Sequence, residues 1–149
     1  MPLEMNEKEV EGIAILELRG RVTVGPEASN LRSRFTQLIE GGGTKIVVNL
    51  KQVDFIDSTG LGTLVIGHSI TEKAGGAMKL VYLSKRNMEL LIMTKLWTVF
   101  EVFDDEQSAI NSFFPEREIK RFDILQFVRS HQNDVEHLGG NAEPERKAG

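Results

Sequence analysis

The sequence predicts an α/β fold, a mostly parallel mixed sheet with an antiparallel edge hairpin and helices packed on it. Three observations lead there. Short runs rich in Ile, Val and Leu alternate with stretches whose apolar residues recur every three or four positions, the pattern of strands joined by crossover helices. Glycine- or proline-containing breaks separate most of these segments. A chain of 149 residues is long enough for one good hydrophobic core and short for two ordinary domains.

Taken in order, residues 3–10 and the run Ile13, Ile15, Leu16 and Leu18 read as two strands. Glu11-Gly12 between them predicts a tight turn and an antiparallel hairpin. Gly25 then stops the extended chain, and Pro26 suits the first turn of a helix carrying Ala28, Leu31, Phe35, Leu38 and Ile39 on one stripe. The triplet Gly41-Gly42-Gly43 ends that helix. It is no phosphate loop, because it follows a helix and Thr44-Lys45 falls outside the required spacing.

Residues 46–50 form a short β-branched run that reads as a buried strand. Leu61, Leu64, Val65 and His68 make the next helical stripe, and Ala74-Gly75-Gly76 closes it. Met78, Leu80, Val81 and Leu83 predict a further strand, and residues 85–96 a helix through Met88, Leu91, Ile92 and Leu96. Phe100, Val102 and Phe103 form a brief strand. Asp104-Asp105 are placed to cap a helix carrying Ala109, Ile110, Phe113 and Phe114.

The composition narrows the function classes. A chain 40% hydrophobic and 27% charged is globular, and no apolar run approaches the roughly 18 residues that span a bilayer. No signal-like start and no cysteine are present, so a cytoplasmic protein without disulfides or thiolate metal sites is expected. The net charge of −4 argues against a nucleic-acid partner, which calls for a concentrated basic face. Lys85-Arg86 and residues 117–121 are the local basic clusters and read as solvated helix ends.

The informative stretch is residues 53–62, where a strand ends, turns once and opens a helix. Asp57-Ser58-Thr59-Gly60 supplies small polar residues at that turn, beside N–H groups that lack helical acceptors and the positive end of the helix dipole. Two readings stay open. Asp57 or Ser58 is a plain helix cap, or Ser58 is an exposed hydroxyl suited to phosphorylation, since a helix start tolerates the added anion.

Other polar residues weigh less. Asp54 and Asp57 have no His or Cys at ligand spacing, so neither a metal site nor an acid–base pair is expected. His68 lies on an apolar stripe and reads as a satisfied, partly buried histidine. Trp97 is expected to pack against the last strand. The histidines at 68, 131 and 137 match no triad pattern. The sequence therefore predicts a binding protein that is not an enzyme, with no cofactor.

The stretch around Ser58 resembles the central motif of STAS domains, specifically the bacterial anti-sigma-factor antagonists, in which an acidic residue precedes a phosphorylatable serine. Asp57 matches the acidic position, Ser58 the phosphoacceptor, Thr59 its hydroxyl neighbour and Gly60-Leu61-Gly62 the helix start. Residues 18–22 look like the family's early strand and turn, and residues 98–103 like its last strand. The resemblance covers roughly residues 8–114 and implies a single STAS-type domain over 1–114. It implies binding to an anti-sigma factor that is often a serine kinase using ATP. Phosphorylation at Ser58, with Thr59 as secondary candidate, would switch the protein off, and a metal-dependent serine phosphatase would reverse it. The implied partner surface comprises Arg21, Thr23, Asp54, Asp57, Ser58, Thr59, Gly60, Leu61, Gly62 and Thr63, with the loop to Pro26. Two other classes stay open: a STAS scaffold subunit of a membrane-transport or stress-sensing assembly, and a ligand- or nucleotide-sensing STAS module.

Beyond Pro115 the family gives no guide. Residues 115–138 read as a C-terminal helical extension and 139–149 as a disordered tail rich in Gly, Pro and charge. Ile124, Val128, His131, Val135 and Leu138 fall on one seam. It fits a helix docked on its own domain or a homodimer contact.

Overall fold

The computed structural model describes residues 3–117 and Val128. Strands β1 (Glu4–Val10) and β2 (Ile13–Val22) form an antiparallel hairpin in which Val10 faces Ile13. Glu11 at φ 53° and Gly12 at φ 82° both take positive φ, as a two-residue hairpin turn requires. Helix α1 (Pro26–Glu40) crosses to β3 (Lys45–Ile56), α2 (Ser58–Lys73) to β4 (Ala77–Val81), and α3 (Lys85–Met93) with a 3-10 turn (Leu96–Thr98) to β5 (Glu101–Phe103). Helix α4 (Glu106–Asn111) follows. The sheet order is β1-β2-β3-β4-β5, and every pair after the first is parallel.

The sheet is buried on two faces, and the two clusters of core residues divide along it. Leu16, Leu18, Ile46, Val48, Met78 and Leu80 pack with Leu31 and Phe35 of α1, Leu61 and Leu64 of α2, and Met88 and Leu91 of α3. Ile13, Ile15, Val47, Val81 and Phe103 pack with Ala109 and Ile110 of α4. Ile46, Val47 and Val48 are thus buried in succession, the continuous apolar run expected of a strand covered on both sides. Glu106 ties α4 to the sheet, accepting from Asn49 Nδ2 at 2.6 Å and pairing with Lys8 Nζ at 3.2 Å. Its hydrogen bond to Lys8, with that of Glu17, raises the lysine above its ordinary pKa.

Several sequence expectations are corrected. Strand β3 runs on past residue 50 to Ile56, carried by irregular pairing with β2 at Glu17/Arg19 and Gly20/Arg21. Leu83 lies beyond β4. Helix α3 stops at Met93, since Lys95 takes φ 62° and turns the chain. Leu96 and Thr98 therefore fall in the 3-10 turn, Val99 and Phe100 join no strand, and half-buried Trp97 packs from that turn onto the larger core cluster. Only Asp105 caps α4, and Phe113 and Phe114 lie in the turn that follows it.

Glu116 and Arg117 are not helical, so no helix begins at residue 116. Arg117 instead grips Glu11 at the hairpin turn through contacts of 2.6 and 3.3 Å, and its guanidinium lies 4.1 Å from the Phe114 ring centroid. Most of the expected extension, including Ile124, His131, Val135, Leu138 and the tail 139–149, lies outside the described residues. Val128 is helical and half-buried against the larger core cluster. Among the described residues, no helix is long and apolar enough to cross a membrane.

Candidate functional site

Helix α2 begins against the ends of β2 and β3, and Asp57 fixes how. Its backbone is extended at φ −93°, ψ −177°, and its N–H donates to the Val22 carbonyl at 3.2 Å. Carboxylate Oδ1 accepts the Gly60 N–H at 2.7 Å, and Oδ2 accepts the Val24 N–H at 2.9 Å. The first bond caps α2. The second pins the loop between β2 and α1 to the same point, so one side chain organises both halves of the surface. Desolvation works to raise the Asp57 carboxyl. The N–H groups of Gly60, Val24, Thr59 and Asp57 itself outweigh it and hold the group below the usual carboxylate range.

Gly60 shows how closely the parts fit. A Cβ there would stand 1.9 Å from the Val22 carbonyl oxygen, so only glycine lets α2 settle onto β2. Further along, Gly67 receives the Phe35 ring of α1, whose nearest atoms would lie 2.6 Å from an added Cβ. Thr71 donates its hydroxyl to the Gly67 carbonyl at 2.5 Å, and Thr63 donates to the Thr59 carbonyl at 3.0 Å. The face that α2 buries is therefore built largely from small residues.

The residues singled out in the sequence separate into layers. Ser58 and Thr59 are exposed in the first turn of α2, and among the described residues neither hydroxyl makes a hydrogen bond. Arg21 and Asp54 are also exposed, while Thr23, Asp57 and Gly62 are half-buried. Gly60, Leu61 and Thr63 are buried and support the surface from beneath. A phosphate on Ser58 would sit at the positive end of a 16-residue helix, where an anion is worth about 0.3–1 kcal/mol. The Asp57 carboxylate beside it already has both oxygens engaged by backbone N–H groups.

Sequence reading missed part of the neighbourhood. Val24, held by Asp57, is 66% exposed. Half-buried Phe55 is approached by two guanidiniums, Arg21 at 5.3 Å and Arg86 at 5.2 Å from the ring centroid. Arg86 comes from α3, 31 positions after Phe55, and no local spacing could have joined them.

His68 departs from expectation. Its Nε2 lies 3.4 Å from Glu72 and its ring meets Phe100 edge-on, but its buried Nδ1 has no partner among the described residues. No group of three or more His, Cys, Asp or Glu able to hold a metal occurs among the described residues.

Residues 4–109, from the first strand to the last helix, match the STAS domain. The chain belongs to that family. This STAS domain is 31% identical to the anti-sigma-B factor antagonist of Bacillus subtilis (strain 168) over 110 residues, 74% of this chain and 99% of the relative. Its fold is that of an anti-sigma factor antagonist from Mycobacterium paratuberculosis, at TM-score 0.65 and 17% identity over 74% of this chain and 92% of that one. The Bacillus cell fate determinant SpoIIAA, solved in its phosphorylated form, shares it at TM-score 0.59 and 19% identity, over 74% and 99% of the two chains. Strand order, edge hairpin and helix placement are thus those of the STAS fold.

Proposed function

We propose that this STAS domain is an anti-sigma factor antagonist. Its unmodified form binds an anti-sigma factor through the surface around Ser58 and so frees a sigma factor. The observation that carries the reading is the exposed, unbonded Ser58 hydroxyl in the first turn of α2, directly after the capping acid Asp57. The sequence likeness to the Bacillus subtilis antagonist spans nearly all of that relative and supports it. Exposed Arg21, Asp54, Ser58 and Thr59, with the Val24 loop, carry the contact, and buried Gly60, Leu61 and Thr63 set its shape.

The switch is electrostatic. The anti-sigma factor acts as a serine kinase, transferring the γ-phosphoryl group of ATP to Ser58 Oγ with ADP as leaving group. That adds roughly −1.5 to −2 charges next to the Asp57 carboxylate. The helix start accommodates the charge, but at an interface it must be desolvated without a matching cation. Affinity falls while the fold persists, and a metal-dependent serine phosphatase restores the binding form. On this reading the chain works in the cytoplasm and is a substrate of enzymes, not an enzyme.

Incubation with the purified anti-sigma factor and ATP, followed by mass spectrometry of the intact chain, tests the reading. A single added phosphate together with loss of the complex is expected. Stable binding unaffected by ATP would point to a scaffold, and absence of binding would overturn the proposal.

A further inference from the structure

We propose that the cleft between the end of β3 and α3 is a second docking site, one that takes an acidic segment of the protein partner anchored by one apolar side chain. The inference rests on the antagonist reading, because the occupant is the same anti-sigma factor. The cleft is an open cavity of about 220 Å³ whose walls include Phe55, Ile56, Leu90 and Met93. Met93 is 52% exposed and carries the apolar lining out to the surface.

The polar groups at this cleft are mainly donors. Arg86 of α3 lines the cavity with its guanidinium 5.2 Å from the Phe55 ring centroid, and Arg21 of β2 approaches the same ring at 5.3 Å from outside the lining. No carboxylate pairs with either among the described residues. Asn87 also lines the cavity, is only 2% exposed, and has an Nδ2 without a partner among the described residues. A buried donor of this kind is normally satisfied. Glu89 is the one carboxylate in the lining and Arg86 the one cation. In a chain of net charge −4, unpaired cations around an open apolar cleft complement an acidic partner. The cleft is continuous with the proposed interface, since Phe55 and Ile56 lead directly into Asp57 and Ser58.

Calorimetric titration of the full chain with the purified anti-sigma factor tests this, with a thermal melt for each variant. Arg86→Glu and Met93→Asp are each expected to weaken binding by about tenfold or more, and Arg86→Glu to flatten its salt dependence. Arg32→Glu, exposed on α1, changes net charge equally and should leave affinity within about twofold. If Arg86→Glu and Met93→Asp bind like the wild type while Ser58→Asp does not, the second site is overturned and the antagonist reading stands. A wild-type chain without affinity for the anti-sigma factor overturns both.

Discussion

The Oδ2 atom of Asp57 accepts the backbone N–H of Val24 at 2.9 Å, across 33 positions of sequence. Through this bond the cap of α2 also fixes the loop that opens α1. The residue before the proposed phosphoacceptor is thus a structural hinge pin as well as a charge, and its loss should disturb both stability and binding.

Asp57→Ala should destabilise the domain by about 1–2 kcal/mol, the usual loss for an N-cap, and lower the melting temperature by several degrees. The effect should depend on pH. The folded-state pKa of Asp57 is depressed, so its contribution is present above the unfolded value near about 3.9 and lost as pH falls through the folded value. Melts at neutral pH and near pH 2 should therefore show the wild type and Asp57→Ala converging in acid. A gap that stays constant would show that the carboxylate charge contributes nothing.

Gly60→Ala and Gly62→Ala should differ sharply although they lie only two positions apart in α2. The first drives a Cβ to 1.9 Å from the Val22 carbonyl and should cost at least about 2–3 kcal/mol or prevent folding. The second meets nothing within 4 Å and should be neutral or stabilise by up to about 1 kcal/mol. Chemical denaturation of both variants is the check.

Much of this fold was legible because its signals are local. Glu11-Gly12 marked the hairpin, the stripe from Ala28 to Phe35 marked α1, and Asp57 marked a cap. What stayed hidden has physical reasons. Exposed Lys51 and Gln52 interrupt the apolar pattern of β3, and its continuation depends on irregular pairing with β2. The buried face of α2 uses Gly60, Thr63, Gly67 and Thr71, residues too small or polar to read as a hydrophobic stripe. Helix α3 ends at Met93, and the positive-φ turn at Lys95 that follows has no glycine to announce it. The Arg21–Phe55–Arg86 stack joins three elements and has no signature along the chain.

Ser58 should be the acceptor when the chain is phosphorylated by the anti-sigma factor. Peptide mass spectrometry should place the phosphate on Ser58, Ser58→Ala should abolish it, and Thr59→Ala should retain it. Both hydroxyls are exposed, so the discrimination lies in kinase geometry. Undiminished phosphate in Ser58→Ala would contradict the assignment.

The full chain should behave as a monomer on light scattering, because Val128 is half-buried against the core of its own chain. Removing residues 118–149 should lower the melting temperature by a few degrees without changing the monomeric state, as loss of apolar contacts implies. A dimer that this deletion converts to a monomer would favour the alternative seam through Ile124, Val128 and Leu138.

The central claim is that charge at Ser58 controls binding without controlling folding. Calorimetric titration of Ser58→Asp against the purified anti-sigma factor, beside a thermal melt, tests it most directly. Every 1.4 kcal/mol is tenfold in affinity, and an unmatched interfacial charge costing about 3 kcal/mol is worth about two powers of ten. Affinity should fall by about a hundredfold while the melting temperature moves by only a few degrees. A folded Ser58→Asp chain that binds with wild-type affinity would contradict the account.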